Sequence, residues 1–138
     1  MAELAVKAVE LHKKGYNCAQ AVACAFCEKM GRDEKEVFEI MEGFGLGMGG
    51  MDATCGAVSG IAAVIGMDNS DGNLAEPKTK GKTYKALKGY VKKFEEKNGS
   101  IVCKELKGVE TGTILRSCPG CVQDAAELVE EYFNSKGE

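Results

Sequence analysis

The chain has 138 residues, 44% of them apolar, with a net charge of -3 and only two arginines, Arg32 and Arg116. A chain of that length forms one domain, residues 1–138, able to bury roughly 70% of its unfolded surface without covalent staples. The charge excludes nucleic acid as the main partner, and no apolar run reaches the ~20 residues of a membrane span.

Leu4, Val6, Ala8, Val9 and Leu11 predict a first helix from about Ala2 to Lys14, closed by Gly15. Glu3, Lys7 and Glu10 interrupt its apolar pattern, so it does not read as a signal segment, and a reducing cytoplasmic compartment is expected. Asn17 suits the N-cap of a second helix, Cys18 to Met30, whose lack of a polar face assigns it to the core, with Gly31 as its stop. Asp33 caps a third helix with Val37, Phe38, Ile40 and Met41 on the buried side. The glycine run from Gly43 to Gly50 forbids a stable helix and allows unusual backbone angles.

From an N-cap at Asp52, residues Ala53 to Ile65 predict a small-residue helix. Its Gly56 and Gly60 cost roughly 1 kcal/mol each relative to alanine, so close approach of another helix or of a bound group is the expected compensation. Met67 to Ala75 is turn-rich; Asp68 and Asp71 miss the calcium-loop spacing, and Thr79 stands where that loop needs a glutamate. A lysine-rich helix then runs to about Asn98, with Tyr84, Leu87, Val91 and Phe94 inward. The eight lysines from Lys78 to Lys97 form either a solvated face or a docking patch for an acidic partner. Ser100 caps a short helix through Cys103 and Leu106. Cys118-Pro119 opens the last helix, Cys118 as N-cap, with Val122, Ala125, Ala126, Val129, Tyr132 and Phe133 buried. No strand is read. The expected fold is all-α, a compact single-domain bundle of about six or seven helices with cysteines at helix N-termini.

Four of the seven cysteines carry that placement. Cys18 falls at a first helical position, Cys55 and Cys103 near a third, and Cys118 at a cap. Unpaired N–H groups and the helix dipole there favour a thiolate. One helix start is worth about 0.3–1 kcal/mol to an anion, too little to ionise a thiol of pKa ~8.5 at pH 7. Stable thiolates therefore need converging helix starts, a cation such as Arg116 or Lys104, or a metal.

The other cysteines read differently. Cys24 and Cys27, inside the apolar second helix, are small buried hydrophobes by default. The pairs Cys24/Cys27 and Cys118/Cys121 could together make a Cys₄ zinc site, although zinc knuckles come from turns and not from mid-helix pairs. A thioredoxin-like reading of Cys118-Pro119-Gly120-Cys121 lacks its strand, as does a dinucleotide reading of Gly45-x-Gly47-x-x-Gly50. His12, the single histidine, reads as a solvated surface residue. No carboxylate pair or nucleophile–base set stands out, so no reaction on a substrate of its own is assigned.

Gly15-Tyr16-Asn17-Cys18-Ala19-Gln20-Ala21-Val22, the glycine run into Cys55-Gly56-Ala57-Val58-Ser59-Gly60, then Cys103 and Cys118 resemble the C_GCAxxG_C_C family of redox-active proteins over nearly the whole chain. The resemblance implies that Cys18, Cys55, Cys103 and Cys118 are the signature cysteines and leaves Cys24, Cys27 and Cys121 outside. If those four converge, they match the ligand set of an iron–sulfur cluster for electron transfer or redox sensing. Backbone at Gly47, Gly49 and Gly50 would hydrogen-bond its sulfurs, and Gly56 and Gly60 would admit it closely. The alternatives are two metal-free dithiol–disulfide pairs, a structural zinc, or a non-redox helical interaction module, with a homodimer among its forms. The expected partner is a redox protein docking on the Lys78–Lys97 face, with neither nucleic acid nor membrane involved.

Overall fold

A computed structural model describes residues 3–137. The chain forms helices α1 (Glu3–Lys14), α2 (Cys18–Ala25), α3 (Cys27–Met30), α4 (Glu34–Met41), α5 (Gly45–Met48), α6 (Gly56–Asn69), α7 (Lys80–Asn98), α8 (Cys103–Lys107) and α9 (Cys118–Ser135), with a 3-10 turn at Glu42–Phe44. Among the described residues the fold is all-α; the only β-type pairing is a single antiparallel bridge between Thr54 and Val102. None of these helices is long and apolar enough to cross a membrane. The expected start of the first helix at Ala2 lies outside the described residues.

There are more helical segments than the six or seven expected, for two local reasons. The second helix breaks at Phe26, whose φ of -103° and ψ of 1° leave the helical range, while its ring stacks on Phe133 at 5.8 Å. The glycine run contributes α5, within which Leu46 and Gly47 have positive φ. Gly31, at φ 68°, ends α3 as read from the sequence, and Asp33 caps α4 by accepting from the Glu36 amide.

Helix α2 is the centre of the bundle, packed by α1, α4, α6 and α9. Its residues from Ala19 to Ala25 are all buried. The one polar side chain among them, Gln20, is satisfied. Its Nε2 donates to the Phe38 carbonyl at 3.0 Å, and its Oε1 accepts from the Asn17 amide at 3.0 Å, closing a capping box with Asn17.

Helix α6 lies directly against α2. A Cβ on Gly60 would sit 2.6 Å from Val22 Cβ, and one on Gly56 would sit 3.1 Å from the Ala19 nitrogen. The close approach expected of these glycines is therefore helix to helix. Burial of Ile61, Val64 and Ile65, worth about 1.5–3 kcal/mol each, outweighs the helix penalty of the glycines.

Four expectations need correction. Ser100 does not cap α8, whose N-cap is Val102; its Oγ accepts from the Val102 amide at 3.0 Å instead. Helix α6 starts at Gly56 with Cys55 as its N-cap, and Asp52 does not cap it; the backbone just before it is committed to the 101–104 segment, as described below. Ile40 is 59% exposed, because Val37 and Met41, one turn apart, form the stripe that α4 lays on the core. Tyr84 is 64% exposed, since α7 buries its C-terminal half, around Phe94, and leaves its first turns outside. The stripe expected on α9 is buried in full.

Candidate functional site

Four helices bring their first turns to one place, and the intervening loops explain how. Cys55 donates its amide to the Ile101 carbonyl at 2.7 Å, Cys103 donates to Ala53 at 3.0 Å, and Lys104 to Met51 at 2.9 Å. These bonds lace the approach to α6 onto the approach to α8 and set Cys55 and Cys103 side by side. The amides of Leu115 and Arg116 both reach the Leu106 carbonyl, which ties the entry of α9 to the end of α8. Asn17 adds the glycine loop: its Oδ1 caps α2 by accepting from Gln20 at 2.9 Å, and its Nδ2 donates to the Glu42 carbonyl at 2.9 Å.

The entry of α9 is held by a buried ion pair. Asp124 accepts from Arg116 Nε at 3.0 Å and Nη2 at 3.1 Å, and from Lys97 Nζ at 2.8 Å. Burial opposes ionisation of Asp124, but the hydrogen bonds from Arg116 and Lys97 win and hold its carboxyl below the ordinary range. A Cβ on Gly120 would fall 2.5 Å from Arg116 Nε; the absence of a side chain there is what admits the guanidinium.

The result is a pocket of about 170 Å³ with Cys18, Cys55, Cys103, Cys118 and Cys121 in its wall, together with Leu46, Leu106, His12, Lys107 and Arg116. All seven cysteines are free. Within the pocket the sulfurs stand in couples. Cys118 is held down to about 5, first by its neighbour Cys18 and then by the charge of Lys107; Cys18 itself is pushed up, first by Cys118 and then by burial. Lys107 Nζ lies 3.6 Å from Cys118 Sγ. Cys55 is lowered to about 7, first by its neighbour Cys121 and then by the amides of Ala57 and Val58 at the start of α6, while Cys121 is pushed up. Cys103 belongs to neither couple, and burial raises it.

The couples differ in access. Cys18 and Cys118 are half-buried, whereas Cys55, Cys103 and Cys121 are buried. His12 Nε2 stands 3.8 Å from Cys18 Sγ.

All four signature cysteines are thus brought together, with shifts of position at three of the helix starts. Cys55 is a cap, Cys103 is the first residue of α8, and Cys118 is the first residue of α9 behind a Ser117 cap. Of the glycines, Gly56 lines the pocket. A Cβ on Gly47 would fall 2.6 Å from Cys103 Cβ, so Gly47 packs on a signature cysteine. Gly60 faces Val22, and Gly49 and Gly50 have open space around them.

Three residues of the site escaped the sequence reading. Cys121 follows Cys118 by one helical turn, a spacing that placed it on the same face. His12 is in the pocket wall and not simply solvated: the turn at Gly15 folds the end of α1 back beside the start of α2. The cation is Lys107 and not Lys104, which is drawn off to Asp52 at 3.3 Å and Glu110 at 3.1 Å. The i, i+4 spacing of Cys103 and Lys107 was the available signal. The Cys24/Cys27 pair lies elsewhere, with Glu34 and Lys7 as its charged neighbours, so the four-cysteine zinc site formed from the two pairs is not assembled. None of the lysines from Lys78 to Lys97 lines the pocket.

A helical bundle that gathers five sulfurs and two basic side chains around one pocket is a small cysteine-centred protein. The chain belongs to the C_GCAxxG_C_C family: the family model, described as a putative redox-active protein, matches residues 16–132. Comparison with curated proteins finds no match, and comparison with solved structures finds none either.

Proposed function

We propose that this chain is a dithiol redox protein whose working couple is Cys18–Cys118. The observation that carries this reading is the position of Cys118 Sγ, half-buried in the same pocket wall as the half-buried Cys18 and 3.6 Å from the Lys107 ammonium. A thiolate held by a cation and backed by a second thiol is the arrangement thiol–disulfide exchange requires.

The Cys118 thiolate attacks one sulfur of a partner disulfide, forming a mixed disulfide and releasing the partner's other sulfur as a thiolate. Cys18 then gives up its proton, for which His12 Nε2 at 3.8 Å is an acceptor, and attacks Cys118 Sγ. The partner leaves as a dithiol, and two electrons have passed to it at the cost of a Cys18–Cys118 disulfide; the reverse sequence oxidises a partner. Cytoplasmic thiol pools would supply the reducing equivalents.

The test is oxidation of the reduced chain with oxidised dithiothreitol, quenched with acid at the earliest times and followed by peptide mapping. A Cys18–Cys118 linkage that disappears in C118S is expected; a first linkage between any other two cysteines sinks the reading.

A second reading, an iron–sulfur centre for electron transfer, is favoured by the gathering of five sulfurs around one pocket with Leu46 and Leu106 in its wall. A single metal ion is poorly accommodated, since among the described residues no group of three or more His, Cys, Asp or Glu side chains is placed to hold one. A cluster makes a different demand, because it spreads its ligands over several irons. Cys18, Cys55, Cys103 and Cys118 would hold it, and it would supply one-electron chemistry. Iron, sulfide and visible absorption after anaerobic purification, lost in C55S, would establish this reading; metal-free, colourless protein that no reconstitution changes would remove it.

A further inference from the structure

Behind the working couple stands another. Cys55 and Cys121 share the pocket wall with Cys18 and Cys118, but both are buried, at 5% and 2% exposure, so no macromolecular partner reaches them directly. The inner sulfurs do neighbour the outer ones: Cys55 and Cys121 stand in the wall of the same pocket of about 170 Å³ as Cys18 and Cys118. Cys55 is fixed at the N-cap of the 14-residue α6, its carbonyl accepting from the Val58 amide at 3.0 Å. Cys121, one turn into α9, has its thiol 4.0 Å from the Arg116 carbonyl, on the segment that Asp124 anchors.

We propose that Cys55–Cys121 is a second redox couple, exchanging with partners only through Cys18–Cys118, so that the chain stores two dithiols and passes electrons from the inner to the outer. This rests on the dithiol reading of the outer couple. Once that couple is a disulfide, Cys55 as thiolate attacks Cys18 Sγ, and Cys118 leaves as a thiolate beside Lys107, the better leaving group of the two. Cys121 then attacks Cys55 Sγ; its proton passes to Cys18, which departs as a thiol. One disulfide is lost and one formed, and charge and protons balance. The outer couple is again a thiolate and a thiol, ready for a second partner disulfide. A partner therefore meets a site able to deliver two electron pairs in succession.

The experiment oxidises the reduced chain with glutathione disulfide, quenches with acid at intervals and maps the linkages. With one oxidising equivalent, the Cys18–Cys118 linkage should form first and give way to Cys55–Cys121; with two, both should be present. In C118S, and independently in C18S, the inner linkage should form at least tenfold more slowly than in the parent. An outer linkage that forms without any inner one overturns the relay and leaves the outer reading standing. An inner linkage that forms as fast in both variants as in the parent also overturns the relay, because the outer couple is then no gateway. If neither linkage forms, the outer reading falls, and the relay with it.

Discussion

Cys24–Cys27 and Cys18–Cys118 are chemically the same object in two surroundings. In each, two neighbouring sulfurs shift one another's ionisation, one thiol raised and the other lowered. Around Cys24–Cys27 the bundle is closed: the two are 0% and 2% exposed, and their thiols approach the backbone carbonyls of Glu34 and Ala23 at 3.8 and 3.7 Å. Around Cys18–Cys118 there is an opening, an ammonium 3.6 Å from one sulfur and an imidazole 3.8 Å from the other. Pairing of sulfurs alone does not make a site. A cation that keeps one sulfur ionised, and a route by which a partner disulfide arrives, are what separate the pocket from the core.

Alkylation by iodoacetamide at neutral pH tests that contrast most severely. Cys118 is expected to react first. Cys24 and Cys27 must wait for the bundle to open, which at a domain stability of about 5 kcal/mol or more means a rate at least roughly a thousandfold lower than in the unfolded chain. The site of modification, read by mass spectrometry at short times, checks this. Labelling of Cys24 on the timescale of Cys118 would erase the distinction between the two regions.

Next in size is the anchor of the pocket. Asp124→Asn removes the charge that Arg116 and Lys97 share, at a cost of about 2 kcal/mol, read from denaturant unfolding. The sign with pH follows from a folded carboxyl held below its unfolded value. Its contribution is complete above the unfolded pKa and is lost as pH falls through the folded one. The parent and the variant should therefore differ most at neutral pH and converge in acid; a difference that stays constant down to acid pH would mean that packing, and not charge, is what Asp124 supplies.

Much of this architecture was legible in the letters because it is local. Asn17 and Asp33 as caps, Gly15 and Gly31 as stops and the buried stripe of α9 each follow from a few neighbouring residues. What was not legible depends on contacts distant in sequence. Asp52 looks like a cap, but the bonds from Cys103 and Lys104 to Ala53 and Met51 commit that stretch to the 101–104 segment and delay the helix to Gly56. Lys104 looks as suitable a cation as Lys107 until Asp52 and Glu110 claim it. The gathering of the cysteines itself was only an expectation, because helix starts at positions 18, 55, 103 and 118 converge through loop lacing that no periodicity reports.

A smaller difference separates the two regions in stability. Cys24→Ala deletes a sulfur from the centre of the bundle and should cost about 1–2 kcal/mol while leaving the alkylation rate of Cys118 unchanged. Cys118→Ala, at a half-buried first helical position, should cost about 0.5 kcal/mol or less and abolish the fast-reacting thiol. Chemical denaturation of the two variants beside one another decides it, and equal losses would mean that the pocket sulfurs are as structural as those in the core.

Lys107→Gln gives the smallest effect and the finest discrimination. Without the ammonium, Cys118 keeps Cys18 as its neighbour but loses the second cause of its lowering from the ordinary thiol range to about 5, so its titration moves up. Alkylation at pH 5 should then slow severalfold. Above pH 9 the thiolate is fully formed in both proteins, and the more basic sulfur of the variant is intrinsically the better nucleophile, so its plateau should equal or slightly exceed that of the parent. A purely structural role for Lys107 makes a different forecast, because a disturbed pocket would change the plateau without moving the midpoint. A midpoint that moves under an undiminished plateau assigns to Lys107 the ionisation of Cys118, which is the property that Cys24 and Cys27, where Glu34 opposes Lys7 and no route to solvent exists, do not share.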